Sequence, residues 1–142
     1  VTLREEIQHV GAYLELEKAR FEERLQVEYN IAKEAEGVLV PNLILQPLVE
    51  NAVKHGAMKQ PQGIVRIEAE YKKDRVIVRV RDNGNGIPKE VSEGLKSHQK
   101  VSEGIGLWNV NERLHSIYPE SEGVQIDTGA WGSEVSMEIP VA

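Results

Sequence analysis

Three short segments of the chain carry polar side chains and glycines at spacings that chemistry can use. In the run from Pro41 to Gly56, Asn51, Lys54 and His55 are related by steps of three and four. On a helix they share one face, opposite Leu45, Val49, Ala52, Val53 and Gly56. A neutral oxygen ligand, an ammonium and an imidazole together suit a metal-bound phosphate chain, because Mg²⁺ takes few protein oxygens and completes its shell with phosphate and water. The second segment is Asp82-Asn83-Gly84-Asn85-Gly86-Ile87-Pro88, directly after a predicted strand. Two glycines bracketing one residue allow close backbone approach to a flat ligand, and a carboxylate at the strand end can accept a hydrogen bond from an exocyclic amine such as that of adenine. The third is Gly104-Ile105-Gly106-Leu107, where a glycine turn opens a predicted helix and presents free N–H groups and the positive dipole end to an anion. Each segment alone has a plainer reading as a solvated helix face, an Asn-Gly turn or a hinge. Three phosphate- or purine-suited segments in one small domain point past those readings.

Competing motifs are missing. There is no G-x-x-x-x-G-K-[ST], no G-x-G-x-x-G between strand and helix, no H-R-D or D-F-G and no G-x-S-x-G. His9, His55, His98 and His115 show no zinc-like clustering. With no cysteine, disulfides, thiolate metal sites and Cys nucleophiles are excluded together.

The elements that must position these groups can be read from patterning. Thr2 and Glu5 form a capping box for a helix over residues 2–24, with Leu3, Ile7, Val10, Leu14 and Phe21 on its seam. This helix is either packed on its own domain or the stub of a longer helical hairpin. Gln26–Ile31 predicts a strand, and 41–56 a second helix that Pro47 kinks or truly begins. Residues 65–71 and 76–81 alternate as two strands around a Lys73-Asp74 corner. Residues 83–103 read as a long loop with room for one helical turn, 106–118 as a third helix stopped by Pro119, and 124–128 with 134–139 as a closing hairpin. The expected fold class is α+β: a two-layer sandwich of a mixed, mostly antiparallel sheet covered by helices on one face, with an N-terminal helix.

The 142 residues are 40% hydrophobic and 28% charged, enough for one folded domain with an aliphatic core, since only two Trp, four Tyr and one Phe are present. Seventeen Lys+Arg against 23 Asp+Glu give a net charge of -6, which argues against a nucleic-acid surface. No membrane span or signal peptide is evident, so no direct membrane contact is expected. The chain opens on Val1 and reads as a piece of a longer protein.

The three segments resemble, in order, the motif boxes of the Bergerat-fold (GHKL) ATPases. LILQPLVENAVKHGA at 43–57 resembles the N box, DNGNGIP at 82–88 the G1 box and GIGLWNVNERL at 104–114 the G2 box. The wording is most similar to sensor histidine kinases of the LytS-like subfamily, and the opening 29 residues resemble the segment that joins dimerisation helices to the catalytic domain there. The resemblance implies that residues 1–24 are the end of a dimerisation and phosphotransfer helix with its linker, and 25–142 an ATP-binding catalytic domain. It implies Asn51 as the Mg²⁺ ligand, Lys54 and His55 near the phosphates, Asp82 on the adenine amine, and Gly84, Gly86 and Ile87 in the purine pocket. Gly104, Ile105, Gly106 and Leu107 would offer backbone to the phosphates and anchor a lid at about 88–103. Gly132-Ser133 resembles the late Gly-Thr element that closes the adenine side, with Ser in place of Thr.

The departures carry information too. Pro47 stands where many histidine kinases have a second Asn, as the LytS-like pattern expects, and the lid lacks a clear Phe-containing box. The family's phosphoacceptor in a Pro-His-Phe context is not in the chain, and His9 lies off the helical seam. The implied partners are therefore ATP, an acceptor helix of the same kinase in a dimer, and a response regulator. The implied setting is the cytoplasmic side of a membrane sensor. Two alternatives remain at this point: a nucleotide-binding regulatory or scaffold domain without phosphotransfer, or another GHKL ATPase such as an anti-sigma serine kinase.

Overall fold

Helix α1 (Leu3–Phe21) starts at the expected cap: Thr2 Oγ1 accepts from Glu5 N, and the Glu5 carboxylate accepts from Thr2 N, each at 3.2 Å. Leu3, Val10 and Leu14 of the predicted seam are buried, and Ile7 and Phe21 pack partly against the same core. The structure is a computed structural model and describes residues 1–100 and 104–141.

Five strands form one sheet in the order β1-β2-β3-β5-β4, with β1 Leu25–Ile31, β2 Gly63–Lys72, β3 Arg75–Asp82, β4 Gln125–Gly129 and β5 Gly132–Pro140. Strands β1 and β2 are parallel and every other pair is antiparallel, so the expected mixed, mostly antiparallel sheet is present. A parallel pair needs a crossover connection. Residues 32–62 supply it and carry α2 (Gln46–Asn51), which runs on as a π-helical turn over Ala52–Gly56. Pro47 falls in the first turn of α2, where a missing N–H costs nothing, and so marks the start of that helix, not a kink.

Alternation decides which face of the sheet is covered. Val65, Ile67 and Ala69, then Val76, Val78 and Val80, then Val135, Met137 and Ile139 are buried in one core with Leu48, Val49 and Val53 of the α2 segment. Leu107, Val110 and Leu114 of α4 (Ile105–Ile117) join that core. The opposite face carries Arg66, Glu68, Glu70, Arg75, Arg79 and Glu138, linked by ion pairs such as Arg79–Glu70 at 3.0 Å and Arg75–Glu138 at 3.2 Å. This is the two-layer α+β arrangement, with the apolar helices on one side only.

One expectation needs correction. The stretch read as loop contains α3 (Lys89–Ser97), on which Val91, Gly94 and Leu95 are buried. Two apolar residues four apart, with a glycine between them and charges around them, are too sparse for periodicity to register. A helix this short is marginal alone in water, and contact with the core stabilises it. The last three residues of the segment read as a lid, 101–103, lie outside the described residues.

Candidate functional site

The periodicity that buries Leu45, Leu48, Val49 and Val53 turns Asn51, Lys54 and His55 outward. They line a cavity of about 280 Å³ together with Gly104, Ile105, Gly106 and Leu107, which form the N-terminal turn of α4. Gly104 is the N-cap of that helix and has no side chain to offer, so among the described residues its first-turn N–H groups have no side-chain cap. A Cβ at Gly106 would meet nothing within 4 Å, leaving its backbone facing open space. At Gly104 a Cβ would strike Val91 of α3 at 2.6 Å, so this glycine lets α3 lie against the start of α4.

Glu50 and Pro47 also line the cavity, and Glu50 was not among the residues singled out from the sequence. Its carboxylate accepts a 2.8 Å hydrogen bond from Gln46 Nε2 and lies 3.9 Å from Lys54 Nζ. The signal for it was available: Gln46, Glu50 and Lys54 are spaced four apart, which places them on one helix face.

Asp82, Gly84 and Ser133 are brought together at the end of the sheet, outside that cavity's lining. Asp82 is 4% exposed, with Oδ1 accepting from Gly84 N and Oδ2 from Ser133 Oγ, both at 2.8 Å. Burial holds its carboxyl above the usual aspartate range, and the bonds from Ser133 and Gly84 partly offset that rise. The result is a desolvated carboxyl fixed in orientation, a strong acceptor for an amine.

The two groups meet at Gly56. A Cβ there would lie 2.2 Å from Asp82 Cγ, and one on Gly84 would lie 2.4 Å from Gly56 Cα. Only glycines let the helix carrying Asn51, Lys54 and His55 touch the carboxyl and its turn. The π-helical turn ends on Gly56, and such turns are frequent at functional sites. Gly86 and Ile87 lie on the other side of the Asp82 turn, where Ile87 N donates to Thr128 Oγ1 at 3.0 Å. Asn83 anchors the turn to β2, accepting from Ile64 N and donating to Gln62 O at 2.8 Å each.

Through Gly56 and Gly84 the sheet-end carboxyl touches the helix whose Lys54 and His55 share a cavity with the N-terminal turn of α4. The family model for histidine kinase-, DNA gyrase B-, and HSP90-like ATPases matches residues 40–142, and the chain belongs to that family. Among curated relatives, the chain is 35% identical to the sensor histidine kinase YpdA of Escherichia coli over 141 residues, covering 99% of this chain and 24% of that protein. It is 35% identical to the sensor protein LytS of Bacillus subtilis over 147 residues, covering 99% of this chain and 25% of that one. The chain thus spans about a quarter of the length of the curated relatives it matches. The fold is that of the catalytic domain of histidine kinase ThkA, with a TM-score of 0.79 at 20% identity over 99% of this chain and 95% of that one. The structure of ThkA in complex with the response regulator TrrA matches with a TM-score of 0.70 at 22% identity, over all of this chain and 41% of that one.

Proposed function

We propose that this chain is the Mg-ATP-binding catalytic part of a two-component sensor histidine kinase, passing the γ-phosphoryl group of ATP to a histidine outside residues 1–142. The observation that carries the reading is the Gly56 contact. It joins the Asp82–Ser133 pair to the helix whose other face, with Lys54, shares a cavity with the N-terminal turn of α4.

In this reading Asp82 accepts from the adenine amine, and Gly84, Gly86 and Ile87 bring backbone against the base. Gly104, Ile105, Gly106 and Leu107 donate backbone N–H groups to phosphate oxygens, and Lys54 and His55 approach the same phosphates from α2. Asn51 fits a Mg²⁺ ligand: its half-buried side chain lines the cavity and makes no hydrogen bond among the described residues. Those residues contain no group of three His, Cys, Asp or Glu able to hold a metal, which suits an ion whose remaining ligands are phosphate and water. When bound, Mg²⁺ neutralises charge on the transferring phosphoryl group. The chain's share of catalysis is positioning and electrostatic complementarity; the imidazole nucleophile arrives on an acceptor helix, in a dimer of the parent.

Residues 1–24 are read as the end of the dimerisation helix with its linker and 25–142 as the catalytic domain; a response regulator takes the phosphoryl group onward. The parent is read as a membrane sensor with this part on the cytoplasmic side. No helix among the described residues is long and apolar enough to cross a membrane.

The test is a magnesium-dependent ATP titration of the folded chain, followed by incubation with γ-labelled ATP with and without a supplied acceptor helix. Label on the supplied helix alone is expected. Acid-labile label on this chain by itself would overturn the placement of the acceptor, and no binding of adenine nucleotide by folded protein would overturn the reading as a whole.

A further inference from the structure

Thr128 closes the row of side chains to which Asp82 belongs. The register pairs Val65 with Asp82, Asp82 with Ser133, and Ser133 with Thr128, so these residues line up across β2, β3, β5 and the edge strand β4 on the covered face. From that edge position the Thr128 hydroxyl does two things. It accepts from Ile87 N at 3.0 Å and donates to the carbonyl of Gly132 at 3.3 Å. One oxygen thus donates one bond and accepts another, each with the backbone of a different wall of the Asp82 site.

Glycines on both walls permit close approach there. Gly86 has φ +92°, and a Cβ there would sit 2.5 Å from Thr128 Oγ1. Gly132 has φ +133°, and a Cβ there would sit 1.9 Å from the Asp82 carbonyl oxygen. The first clash shows the hydroxyl filling the space a side chain at Gly86 would need, and the second shows the hairpin backbone packed directly on the Asp82-Asn83 backbone. Pro88 follows Ile87 directly and caps α3, its carbonyl accepting from Val91 N at 3.0 Å. Thr128 thus also sets where the lid helix leaves the sheet.

We propose that Thr128 is a positioning residue for the purine: its hydroxyl holds the Gly86-Ile87 backbone at a fixed distance from Gly132, and that spacing admits a flat base beside Asp82. This rests on the adenine-binding reading above and extends it to an edge-strand residue that touches neither carboxyl nor phosphate site. Preorganising a wall costs nothing at the moment of binding, whereas a wall that must first be ordered weakens every ligand that uses it.

The experiment compares Thr128→Val, which keeps shape and removes both bonds, with Thr128→Ser, which keeps them. Affinities for ATP and for adenosine are measured by calorimetry, beside thermal melts. Thr128→Val is expected to weaken ATP and adenosine alike by about 3- to 10-fold, the range of one or two neutral hydrogen bonds. Its melt should stay within a few degrees of the parent's, since the Ile87 bond is exposed and the longer Gly132 bond only part-buried. Thr128→Ser should restore both affinities. A purely structural role would lower the melting temperature, or would fail to be rescued by serine. Unchanged affinity for both ligands in Thr128→Val overturns the proposal while the parent still binds ATP. If the parent binds neither ligand, it is the nucleotide reading that has failed.

Discussion

Ser133 Oγ donates to Asp82 Oδ2 at 2.8 Å across 51 residues of chain, and both side chains are almost fully buried. Strand register alone makes the meeting possible, because β3 and β5 pair Asp82 directly with Ser133 on the covered face. Gly84 N takes the other carboxyl oxygen, so Asp82 is held by one donor from a neighbouring strand and one from its own turn. Two opposing effects meet on this carboxyl: burial raises its pKa, and the two donors pull it back part of the way.

Asp82→Asn should therefore separate binding from stability. Asparagine can still accept from Gly84 N, but the ionised acceptor is gone, and adenine nucleotide affinity is expected to fall by about 10-fold or more, the scale of a charge-assisted bond. Stability should move the other way. A carboxyl with a raised folded-state pKa favours folding below its ordinary value, and that contribution is lost as pH rises through the folded value. The variant escapes the loss, so its melting temperature should gain on the parent's between acidic and neutral pH. Parallel melting curves across that range would show that burial does not strain Asp82.

Substitution at the cavity should act on phosphate and spare the base. Lys54 Nζ is exposed enough that its 3.9 Å approach to Glu50 adds little stability. Lys54→Ala should leave the fold intact, weaken ATP several-fold, and leave adenosine binding unchanged. Asn51→Ala should instead flatten the dependence of ATP affinity on magnesium concentration. Equal losses for ATP and adenosine in Lys54→Ala would place the ammonium away from the phosphates.

The parts of this site that were legible from sequence were those governed by local rules. Helical period separated Asn51, Lys54 and His55 from Leu45, Val49 and Val53, and the structure keeps that division. Strand alternation assigned Val65, Ile67, Val76, Val78 and Val80, and turn chemistry located the Lys73-Asp74 corner between β2 and β3. What was not legible depends on contacts distant in sequence. The packing of Val91 on Gly104 helps hold α3, yet nothing around residue 91 shows what lies against it. Thr128 becomes meaningful only once register sets it beside Ser133 and a hydrogen bond joins it to Ile87. Ser133 itself was found by resemblance of motif, and its bond to Asp82 came from the fold.

Glu6 is a second long-range contact of this kind, with a structural role. It is 2% exposed, and Oε1 accepts from Ile44 N at 2.8 Å and from Leu45 N at 3.3 Å, where α2 begins. A carboxylate on α1 thus satisfies the two backbone N–H groups that lead directly into α2 and fixes where that helix starts. Glu6→Ala leaves two buried donors without a partner and is expected to cost about 2 to 4 kcal/mol, read from urea denaturation. A loss below about 0.5 kcal/mol would mean that water takes over the capping.

Tyr13 offers a test of how α1 sits beside the cavity. Its Oη is buried without a hydrogen-bond partner among the described residues, and its pKa is pushed up to about 12, chiefly by burial and further by the carboxylates of Glu17 and Glu50, with Arg20 pulling it down. Because the folded-state value lies above the ordinary 10, the neutral phenol favours folding below pH 10, and this is lost as pH climbs toward 12. Tyr13→Phe removes an unsatisfied buried oxygen, so at neutral pH the variant should equal or exceed the parent in stability, by up to about 1 kcal/mol. Between pH 10 and 12 it should gain steadily, since it has no phenol to ionise. Lysine titration and the other tyrosines act on both proteins and cancel in the difference. Urea denaturation at stepped alkaline pH measures that difference directly. A constant gap across the range would mean that the Tyr13 hydroxyl reaches water, and that α1 lies less closely on the Glu50 side of α2 than the structure places it.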